Sequence, residues 1–395
     1  MPYTINFVNN NPDITWPFVT FVQDPNSPAN LNAYGGKNQE TPINNGKSYN
    51  LESTNIDNTI SMDAANWQGH MYLSDAPLVL PTVGGLPVDP DYTNTADPTR
   101  YQYIEFAGNL AQASTDLTYI NWYSIPLQIQ SESGTRGAPT SPAALDAMLT
   151  TLADLSGNNS TTVVKNNAGQ IVRVISPNAG ASWMSLYPTF TDYIASAFKD
   201  GVGNMSLYNL YDGINNPPSP DYQQQTYQST SVTYTGDTYP KDLVIKGTTN
   251  VLGDFTMTAT MGFSLAFSNV IYYAVMSYAW QYSGNGGGSN ANGNTGDNNV
   301  FSAISRDLLA GFAFGFIGST QWGSQPSSAW MTASDTGVFS AIQPANPYYN
   351  PWANAINTCF PDVYGFPFND FLGGNFAPTL ITNLGDTLTV TLLKP

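Results

Sequence analysis

One segment of the chain places a carboxylate between tyrosines, a pattern that suits acid–base chemistry on sugars. Residues 101–107 read Tyr-Gln-Tyr-Ile-Glu-Phe-Ala, and strand alternation predicts that Tyr101, Tyr103 and Glu105 share one face. A carboxyl group held there could keep its proton and act as a general acid while the rings stack on a sugar. The residue pattern alone favours a plainer interpretation, an exposed strand glutamate between surface aromatics.

The following segment repeats this theme with an amide in place of the carboxylate. Residues 117–127 read Leu-Thr-Tyr-Ile-Asn-Trp-Tyr-Ser-Ile-Pro-Leu, and the same alternation predicts that Tyr119, Asn121 and Tyr123 share a face. If the two segments pair as neighbouring strands, Glu105 and Asn121 face one cleft. The tyrosines of both segments would then offer their rings to a bound sugar.

The sequence offers few side chains for other kinds of catalysis. The chain has one cysteine, Cys359, and one histidine, His70. A single cysteine cannot form an intrachain disulfide, and a zinc centre or a Ser-His-Asp triad is not expected from so few candidate groups. We therefore predict no metal and no cofactor, and we expect neither residue to act as a ligand or a base.

Composition limits the class of partner. Only 10% of the residues are charged, and the net charge is −17. A surface rich in amides, hydroxyls and tyrosine suits neutral sugars, although an ordinary polar coat fits equally well. The excess of acid argues against nucleic acid, because phosphate contacts need lysine and arginine. Apolar stretches such as 308–317 are too short to cross a bilayer, so no membrane insertion is expected.

The elements that must position these residues are mostly short strands. Alternation from residue 3 onward, with frequent turns, predicts a β-barrel or sandwich over residues 1–137. The pattern then changes to a helix between Ser141 and Gly157, so a mixed α/β second domain is predicted over residues 138–374. Residues 375–395 are expected to return to the first domain as a strand. The predicted fold class is mainly β with a mixed α/β second domain.

The second domain is predicted to mix strands with helices. Strands are predicted at 230–235 and 243–248, helices at 190–198 and 270–282, and a Gly/Asn-rich loop at 284–299.

Several motifs, taken in order, resemble those of glycoside hydrolase family 64. Glu-Phe-Ala-Gly-Asn at 105–109 and the strand at 118–127 are similar to the family's active-site strands, which read Glu-Phe-Thr-x-Asn and then Ile/Val-Asp-Phe. Gly-His-Met-Tyr-Leu-Ser at 69–74 resembles the family's Gly-Arg-Ile-Tyr-x-Ser strand. Residues 350–356 and 364–370 resemble two further family motifs, so the resemblance extends over nearly the whole chain.

The resemblance implies a fold, an activity and site residues. The fold is a thaumatin-like β-barrel or sandwich beside an α/β domain, with a wide groove between them for a β-1,3-glucan. The family's activity is inverting β-1,3-glucan hydrolysis. Glu105 matches its catalytic acid, and Asn109 matches a sugar-contacting asparagine. The tyrosines expected to line the groove are Tyr101, Tyr103, Tyr119 and Tyr123.

Two departures from the family pattern concern the chemistry. Asn121 aligns with the second carboxylate, the base that activates water, and Ala107 replaces a threonine. An amide cannot take a proton from water at neutral pH, and loss of such a base costs roughly 10²–10⁴-fold in rate. Asp116 is the nearest substitute in sequence, but it is predicted to lie in a turn before the strand. Asn121 is either a natural residue or an introduced substitution.

Three functions remain open from the sequence. The favoured one is recognition of a β-1,3-glucan, or another neutral polysaccharide, with hydrolysis impaired or lost. The second is an active inverting endo-β-1,3-glucanase with a relocated base. The third is a structural or self-assembling protein that reuses the fold. The first residues lack the basic and apolar regions of a signal peptide, so we expect a soluble chain that either stays in its cell or was exported and lost its leader.

Overall fold

Two compact units divide the chain. The first comprises Met1–Ala179, Ala355–Pro367 and Ala377–Pro395, and the second comprises Gly180–Asn354 and Phe368–Phe376. The boundary predicted at residue 138 therefore lies inside the first unit, which also contains the helix predicted to open the second domain.

The protein is described by a computed structural model, in segments with gaps. The described residues are 3–63, 66–109, 111–179, 181–184, 186–188, 193, 227–235, 241–249, 253–261, 280–284, 307, 309–323, 325, 327–330, 332–333, 337–367, 369–372 and 376–394. A helix predicted from the pattern at 190–198 and a loop predicted at 284–299 lie almost entirely outside these residues.

Within the described residues, the first unit is built mainly from strands. In chain order these are β1 (Tyr3–Asn9), β2 (Phe18–Gln23), β3 (Ala33–Gly35), β4 (Thr41–Ile43), β5 (Ser48–Asn50), β6 (Thr59–Met62), β7 (Gln68–Ser74), β8 (Thr82–Val83), β9 (Leu86–Pro87), β10 (Tyr101–Gly108), β11 (Gln112–Leu117), β12 (Trp122–Tyr123), β13 (Leu127–Ser131), β14 (Gly134–Arg136), β15 (Val163–Lys165) and β16 (Ile171–Ile175).

The remaining elements follow in both units. The second unit contributes strands β17 (Tyr227–Thr235), β18 (Lys241–Thr249), β19 (Gly253–Met261) and β20 (Trp280–Gly284), and the first unit ends with β21 (Leu380–Asn383) and β22 (Thr387–Leu392). The helices are α1 (Pro142–Leu155), α2 (Ala181–Met184), α3 (Ser327–Trp330) and α4 (Pro351–Cys359), with 3₁₀ turns at Pro177–Ala179, Phe339–Ala341 and Asn369–Leu372. Residues 309–314 are also helical.

Two large sheets form the core of the first unit. One has the strand order β14-β13-β22-β1-β6-β3-β4, and the other has the order β21-β11-β10-β7-β2-β5. Strand β22 pairs in parallel with β1, so the last strand of the chain completes the sheet that the first strand begins. This architecture confirms the predicted mainly-β fold class.

Aromatic contacts show that the two sheets pack face to face. On β1, Tyr3, Ile5 and Phe7 alternate inward and are buried, as the sequence pattern predicted. The Tyr3 ring meets Phe106 of the other sheet edge-on at 6.3 Å, and Phe106 lies 5.8 Å from the Trp67 ring. Phe106 therefore marks the inner face of strand β10, and its sequence neighbours point to the outer face.

Helix α1 follows directly from its capping residues. The Ser141 side-chain oxygen accepts a hydrogen bond from the Ala144 amide at 3.1 Å, and proline occupies the first helical position. Gly157 adopts a φ of +63° just past the helix, a conformation that favours glycine. The buried face includes Met148 and Leu152, so the predicted helix is confirmed.

The described strands of the second unit form one antiparallel meander in the order β17-β18-β19-β20. The strands predicted at 230–235 and 243–248 are confirmed as parts of β17 and β18. A helix predicted over 270–282 is wrong in its described part, because Trp280–Gly284 pairs with β19 as a strand. Tryptophan and tyrosine in that segment favour a strand. Over the described residues, no helix combines the length and apolar character needed to cross a bilayer.

Candidate active site on the outer face of the six-stranded sheet

Glu105 lies near the middle of β10, between two neighbouring strands. It stands directly opposite His70 on β7 and directly opposite Asp116 on β11. Residues opposite each other in antiparallel strands point to the same face, with Cβ atoms about 4.5–5.5 Å apart. His70, Glu105 and Asp116 therefore form a row across three strands, which we call the Glu105 row.

The Glu105 row lies on the face of the sheet that points away from the sandwich core. The neighbours of Glu105 on β10, Ile104 and Phe106, are buried on the inner face, whereas Glu105 itself is half-buried. Strand alternation thus correctly assigned the face of Glu105.

Asp116 does not lie in a turn, which corrects the prediction made from its sequence. The turn between β10 and β11 comes earlier, because the Asn109 side-chain oxygen accepts hydrogen bonds from the amides of Ala111 at 2.8 Å and Gln112 at 3.0 Å. Strand β11 therefore begins at Gln112 and carries Asp116 into register with Glu105.

Asn109 itself is exposed at this turn. Its backbone carbonyl accepts a hydrogen bond from the Tyr3 hydroxyl at 3.1 Å, and its side-chain oxygen is engaged within the turn. Next to it on the outer face, Ala107 stands opposite Gln68 and Ser114, which form a second row of small and polar groups beside the Glu105 row.

Asn121 lies outside the strand on which it was predicted. The β10–β11 register ends at Leu117, and Thr118 instead bridges to Tyr364. The Asn121 carbonyl accepts a hydrogen bond from the Ser176 amide at 2.9 Å, so the chain bends there and continues into another sheet. Asn121 is half-buried and has no cross-strand position opposite Glu105.

Tyr119 and Tyr123 lie in the core of the first unit rather than on a sugar-accessible face. Their exposures are 0% and 1%, and their rings are 5.0 Å apart, with Phe360 at 5.8 and 6.4 Å. The Tyr119 hydroxyl accepts a hydrogen bond from the Leu127 amide at 3.0 Å. The expected stacking of sugar on these two rings therefore cannot occur in this arrangement. The bend at Asn121 is the physical reason, since it breaks the strand alternation.

Tyr101 and Tyr103 share the face of Glu105, as alternation predicted, but they too are buried. With Tyr72 and Trp122 they form what we call the aromatic cluster, in which the Trp122 ring lies 4.9 Å from Tyr103 and 5.8 Å from Tyr101. The Tyr92 ring stacks on Trp122 at 4.5 Å. The aromatic cluster is therefore covered. The rings of Tyr101 and Tyr103 are not exposed to solvent, so the expected stacking of sugar on them does not fit this arrangement.

Residues 78–99 cover the aromatic cluster, and we call them the covering segment. A buried arginine holds this segment in place. The Arg173 side chain is fully buried, and its guanidinium lies 4.6 Å from the centre of the Tyr101 ring. Its nitrogens donate hydrogen bonds of 2.8 to 3.2 Å to four backbone carbonyls of that segment, those of Tyr92, Asn94, Asp97 and Thr99.

His70 is a functional candidate that the sequence did not single out. Its Nδ1 lies 2.9 Å from an Asp89 carboxylate oxygen, and its ring lies 4.7 Å from the Tyr103 ring. Only the register between β7 and β10 brings it beside Glu105. The available signal was its place in a strand-like segment two residues before Tyr72, but no pattern in the sequence states which strands are neighbours.

Burial and neighbouring charges shift the protonation of these groups. Burial raises the pKa of Glu105 above the ordinary glutamate value, the charge of His70 lowers it, and the charge of Asp89 raises it. Burial lowers the pKa of His70, but the hydrogen bond and charge of Asp89, with the charges of Glu105 and Asp24, outweigh this and raise it overall. Burial also raises the pKa of Asp89. The hydrogen bond and charge of His70 and a hydrogen bond from Tyr72 outweigh this effect, so the pKa of Asp89 is lowered overall.

In chemical terms the row combines a carboxyl group whose pKa burial raises with a second acidic side chain and an imidazole. Such a set can donate a proton and stabilise the charge left behind. Among the residues the structure describes, no group of three or more His, Cys, Asp or Glu side chains is arranged to hold a metal ion.

Comparison with known proteins connects this site to one family. The family model described as Beta-1,3-glucanase, glycoside hydrolase family 64, matches residues 13–201, a range that includes the whole Glu105 row. No curated protein matches the sequence significantly.

Solved structures match the fold over the full length. A laminaripentaose-producing β-1,3-glucanase in complex with laminaritetraose has a TM-score of 0.63 at 17% identity, covering 100% of this chain and 99% of that chain. A family 64 β-1,3-glucanase domain from Clostridium beijerinckii has a TM-score of 0.57 at 14% identity, covering 99% and 98%. The predicted resemblance is therefore confirmed: residues 13–201 match glycoside hydrolase family 64 in sequence, and the whole chain has the fold of its solved β-1,3-glucanases.

Proposed function

We propose that the chain recognises a β-1,3-glucan on the outer face around Glu105, and that its hydrolysis is impaired or lost. The observation that carries this proposal is the placement of Glu105, which matches the family's catalytic acid. It is half-buried on an accessible sheet face, and burial raises its pKa. The solved glucanase with laminaritetraose bound, which shares the fold over its full length, supports the same class of ligand.

Sugar recognition at this face would depend on polar groups more than on rings. Gln68 and Asn109 are exposed, and Ser114 is half-buried beside them. Amide and hydroxyl groups pair well with sugar hydroxyls, whereas the tyrosines first expected to stack are buried. We therefore expect modest affinity for a short oligosaccharide.

The reason to expect impaired hydrolysis is the position of the candidate bases. An inverting glycosidase keeps its two carboxyl groups about 6.5–9.5 Å apart, which leaves room for the attacking water. Asn121 cannot accept the proton. Asp116 stands directly opposite Glu105, where cross-strand Cβ atoms are about 4.5–5.5 Å apart, so the two carboxyl groups reach the inverting spacing only if their side chains diverge.

A second candidate, a working β-1,3-glucanase with Asp116 as its relocated base, is favoured by one observation. Asp116 shares both the face and the register position of Glu105. Activity would require the two carboxyl groups to diverge from their strands far enough to admit water.

Laminarin digestion and laminarihexaose binding, measured on the same variants, separate these functions. Under the first proposal, the wild type binds the hexasaccharide but releases little product. Product release that is rapid in the wild type and lost in both Glu105→Gln and Asp116→Asn would establish the second function instead. An absence of both binding and hydrolysis in the wild type would overturn both.

A further inference from the structure

We propose that Asp89 and His70 act as a positioning pair for Glu105, so that the charge on the imidazole sets whether Glu105 holds its proton. The coupling between the three groups is a property of the folded chain. Its consequence for glucan handling, a dependence on pH near neutrality, rests on the proposed function.

The geometry holds the imidazole in one place. Asp89 binds Nδ1 at 2.9 Å, which leaves Nε2 as the free ring nitrogen of His70. The ring lies 4.7 Å from the Tyr103 ring and 6.1 Å from the Tyr72 ring, so it is held against the edge of the aromatic cluster. The strand register then places His70 and Glu105 directly opposite each other on one face. A side chain fixed in this way can act on its neighbour through charge.

The charged groups that face His70 are all acidic. Asp89 comes from the segment after β9, Glu105 from β10, and Asp24 from the residues after β2. On β2 itself the opposite residue is Val22, which is apolar and buried. Tyr72 and Tyr103 contribute only uncharged rings near neutral pH, and Asp116 stands one strand further away, beyond Glu105. Nothing positive therefore competes with the imidazolium for Glu105 among these described groups.

The two protonation equilibria are consequently linked. A protonated His70 stabilises the Glu105 carboxylate and opposes the effect of burial, which favours the carboxylic acid. When His70 loses its proton, this stabilisation ends and Glu105 binds its own proton more tightly. In an acid-catalysed step, the Glu105 proton passes to the glycosidic oxygen and the bond from that oxygen to the anomeric carbon breaks as water attacks the carbon. The proton of the water goes to Asp116 or to solvent, and the Glu105 carboxylate left behind faces the imidazolium.

NMR can test the coupling directly, because the chain contains one histidine and only four glutamates, Glu40, Glu52, Glu105 and Glu132. The His70 ring signals and the carboxyl signals of ¹³C-labelled glutamate are followed as a function of pH. Glu105→Gln identifies the Glu105 signal. We expect the His70 midpoint to fall by about 1 pH unit in Asp89→Asn, and to fall also in Glu105→Gln, since each removes a nearby negative charge.

The reverse direction uses a charge-fixing and a neutral variant of His70. In His70→Gln the Glu105 midpoint should rise by about 1 pH unit, whereas in His70→Arg it should stay near the wild-type value. A merely structural role of His70 would not distinguish arginine from glutamine in this way. Asp146→Asn, which removes one exposed acid from α1, is the matched control for Asp89→Asn.

The outcomes separate this inference from the proposed function. A His70 midpoint that moves no further in Asp89→Asn and Glu105→Gln than in Asp146→Asn overturns the coupling, whatever the chain binds. If His70→Gln does not fold, the Asp89→Asn and Glu105→Gln titrations still decide the coupling. Laminarihexaose affinity is then measured between about pH 5.5 and 8. Affinity that varies with pH in the wild type but not in His70→Arg supports the functional consequence, and a flat wild-type profile overturns it.

Discussion

The Glu105 row and the aromatic cluster are neighbours on the same sheet face, yet they differ in almost every physical property. Glu105 and Tyr103 are only two residues apart on β10 and point the same way. Glu105 is half-buried and titratable, whereas Tyr103 is 6% exposed and packed against Trp122. Strand position therefore does not decide which of the two can meet a ligand. The difference comes from what covers them.

The covering segment packs over the aromatic cluster and also contributes a residue to the neighbourhood of the Glu105 row. Its side chains Leu78, Leu80 and Tyr92 pack against the aromatic cluster. From the same segment, Asp89 reaches His70 in the neighbouring Glu105 row. The covering segment therefore buries the aromatic cluster but not the Glu105 row, and its Asp89 holds the His70 ring in place. Tyrosines that the sequence offers as a sugar platform serve instead as the buried support of a polar site.

The largest expected effect comes from removing the centre of the aromatic cluster. Trp122→Ala deletes a buried ring that contacts three aromatic side chains, and it loses the indole hydrogen bond to the Tyr101 carbonyl at 3.0 Å. We expect the free energy of unfolding to fall by about 3–5 kcal/mol. Urea denaturation measures this. Trp16→Ala is the matched control, because that ring is 55% exposed and should change stability by less than about 0.5 kcal/mol.

If Trp122→Ala and Trp16→Ala lower the free energy of unfolding by the same amount, the contrast between the covered aromatic cluster and the accessible Glu105 row would be lost. Trp122 would then behave as a surface residue, and a sugar could reach the aromatic cluster after all.

A smaller effect is expected from loosening the cover itself. Arg173→Lys keeps the positive charge but cannot span four carbonyls, so some of these buried oxygens lose their partners. We expect a loss of about 2–3 kcal/mol in the free energy of unfolding. We also expect faster proteolytic cleavage within residues 91–99. Arg100→Lys is the control, since that guanidinium makes only a 4.0 Å ion pair with Asp13.

Equal protease sensitivity in Arg173→Lys and the wild type would contradict this prediction. It would show that the packing of Tyr92 on Trp122, rather than Arg173, fixes the covering segment.

A weaker effect distinguishes the Glu105 row by its pH dependence. The pKa of Glu105 is raised in the folded state, so its contribution to stability is fully present at low pH and is lost as pH rises through the folded-state value. The raised pKa of His70 acts with the same sign, but nearer neutrality. Stability of the wild type should therefore decline from mildly acidic to neutral pH.

Denaturant midpoints measured across this range provide the check. Glu105→Gln should remove the acidic part of the decline and His70→Gln the part near neutrality, while Asp146→Asn should leave the curve unchanged. If Glu105→Gln leaves the acidic part of the decline in place, or His70→Gln leaves the part near neutrality, that part comes from other groups, such as Asp75 or Asp362, whose pKa values burial also raises.

The same contrast explains how much could be predicted from the sequence. The face of Glu105 and the bounds of α1 depend on residues close together in the chain, namely the alternation of β10 and the Ser141 cap. These predictions were correct. The predicted strand position of Asn121 was wrong, because Ser176 donates hydrogen bonds to the carbonyls of Ile120 and Asn121 and the strand is interrupted there. Ser176 lies more than fifty residues later in the chain. No local pattern contains that information.

The prediction for Asp116 was wrong because the hairpin turn lies earlier in the chain than its sequence indicated. A turn closed by Asn109 starts β11 at Gln112, so Asp116 moves from a predicted loop to a place opposite Glu105. His70 was passed over because neighbouring strands cannot be identified from either strand alone. Exposure was the hardest property to predict, since the cover over Tyr101 and Tyr103 depends on Arg173, far away in sequence.

The smallest expected effect is the response of glucan binding to salt. A neutral oligosaccharide releases no counterions when it binds, so its affinity should be nearly the same at about 50 mM and about 500 mM salt. The Glu105 row makes this a sharp test, because Asp116, Asp89 and, once ionised, Glu105 would attract a cationic ligand, and salt would weaken that attraction. Calorimetric titration with laminarihexaose at the two salt concentrations measures it, with Gln68→Ala as a variant that removes an exposed amide from the neighbouring row. We expect weaker binding in Gln68→Ala and no salt response in either protein. Affinity that falls with salt would mean that the face recognises a positively charged ligand, and that the carboxylates attract their partner rather than serve acid chemistry on a sugar.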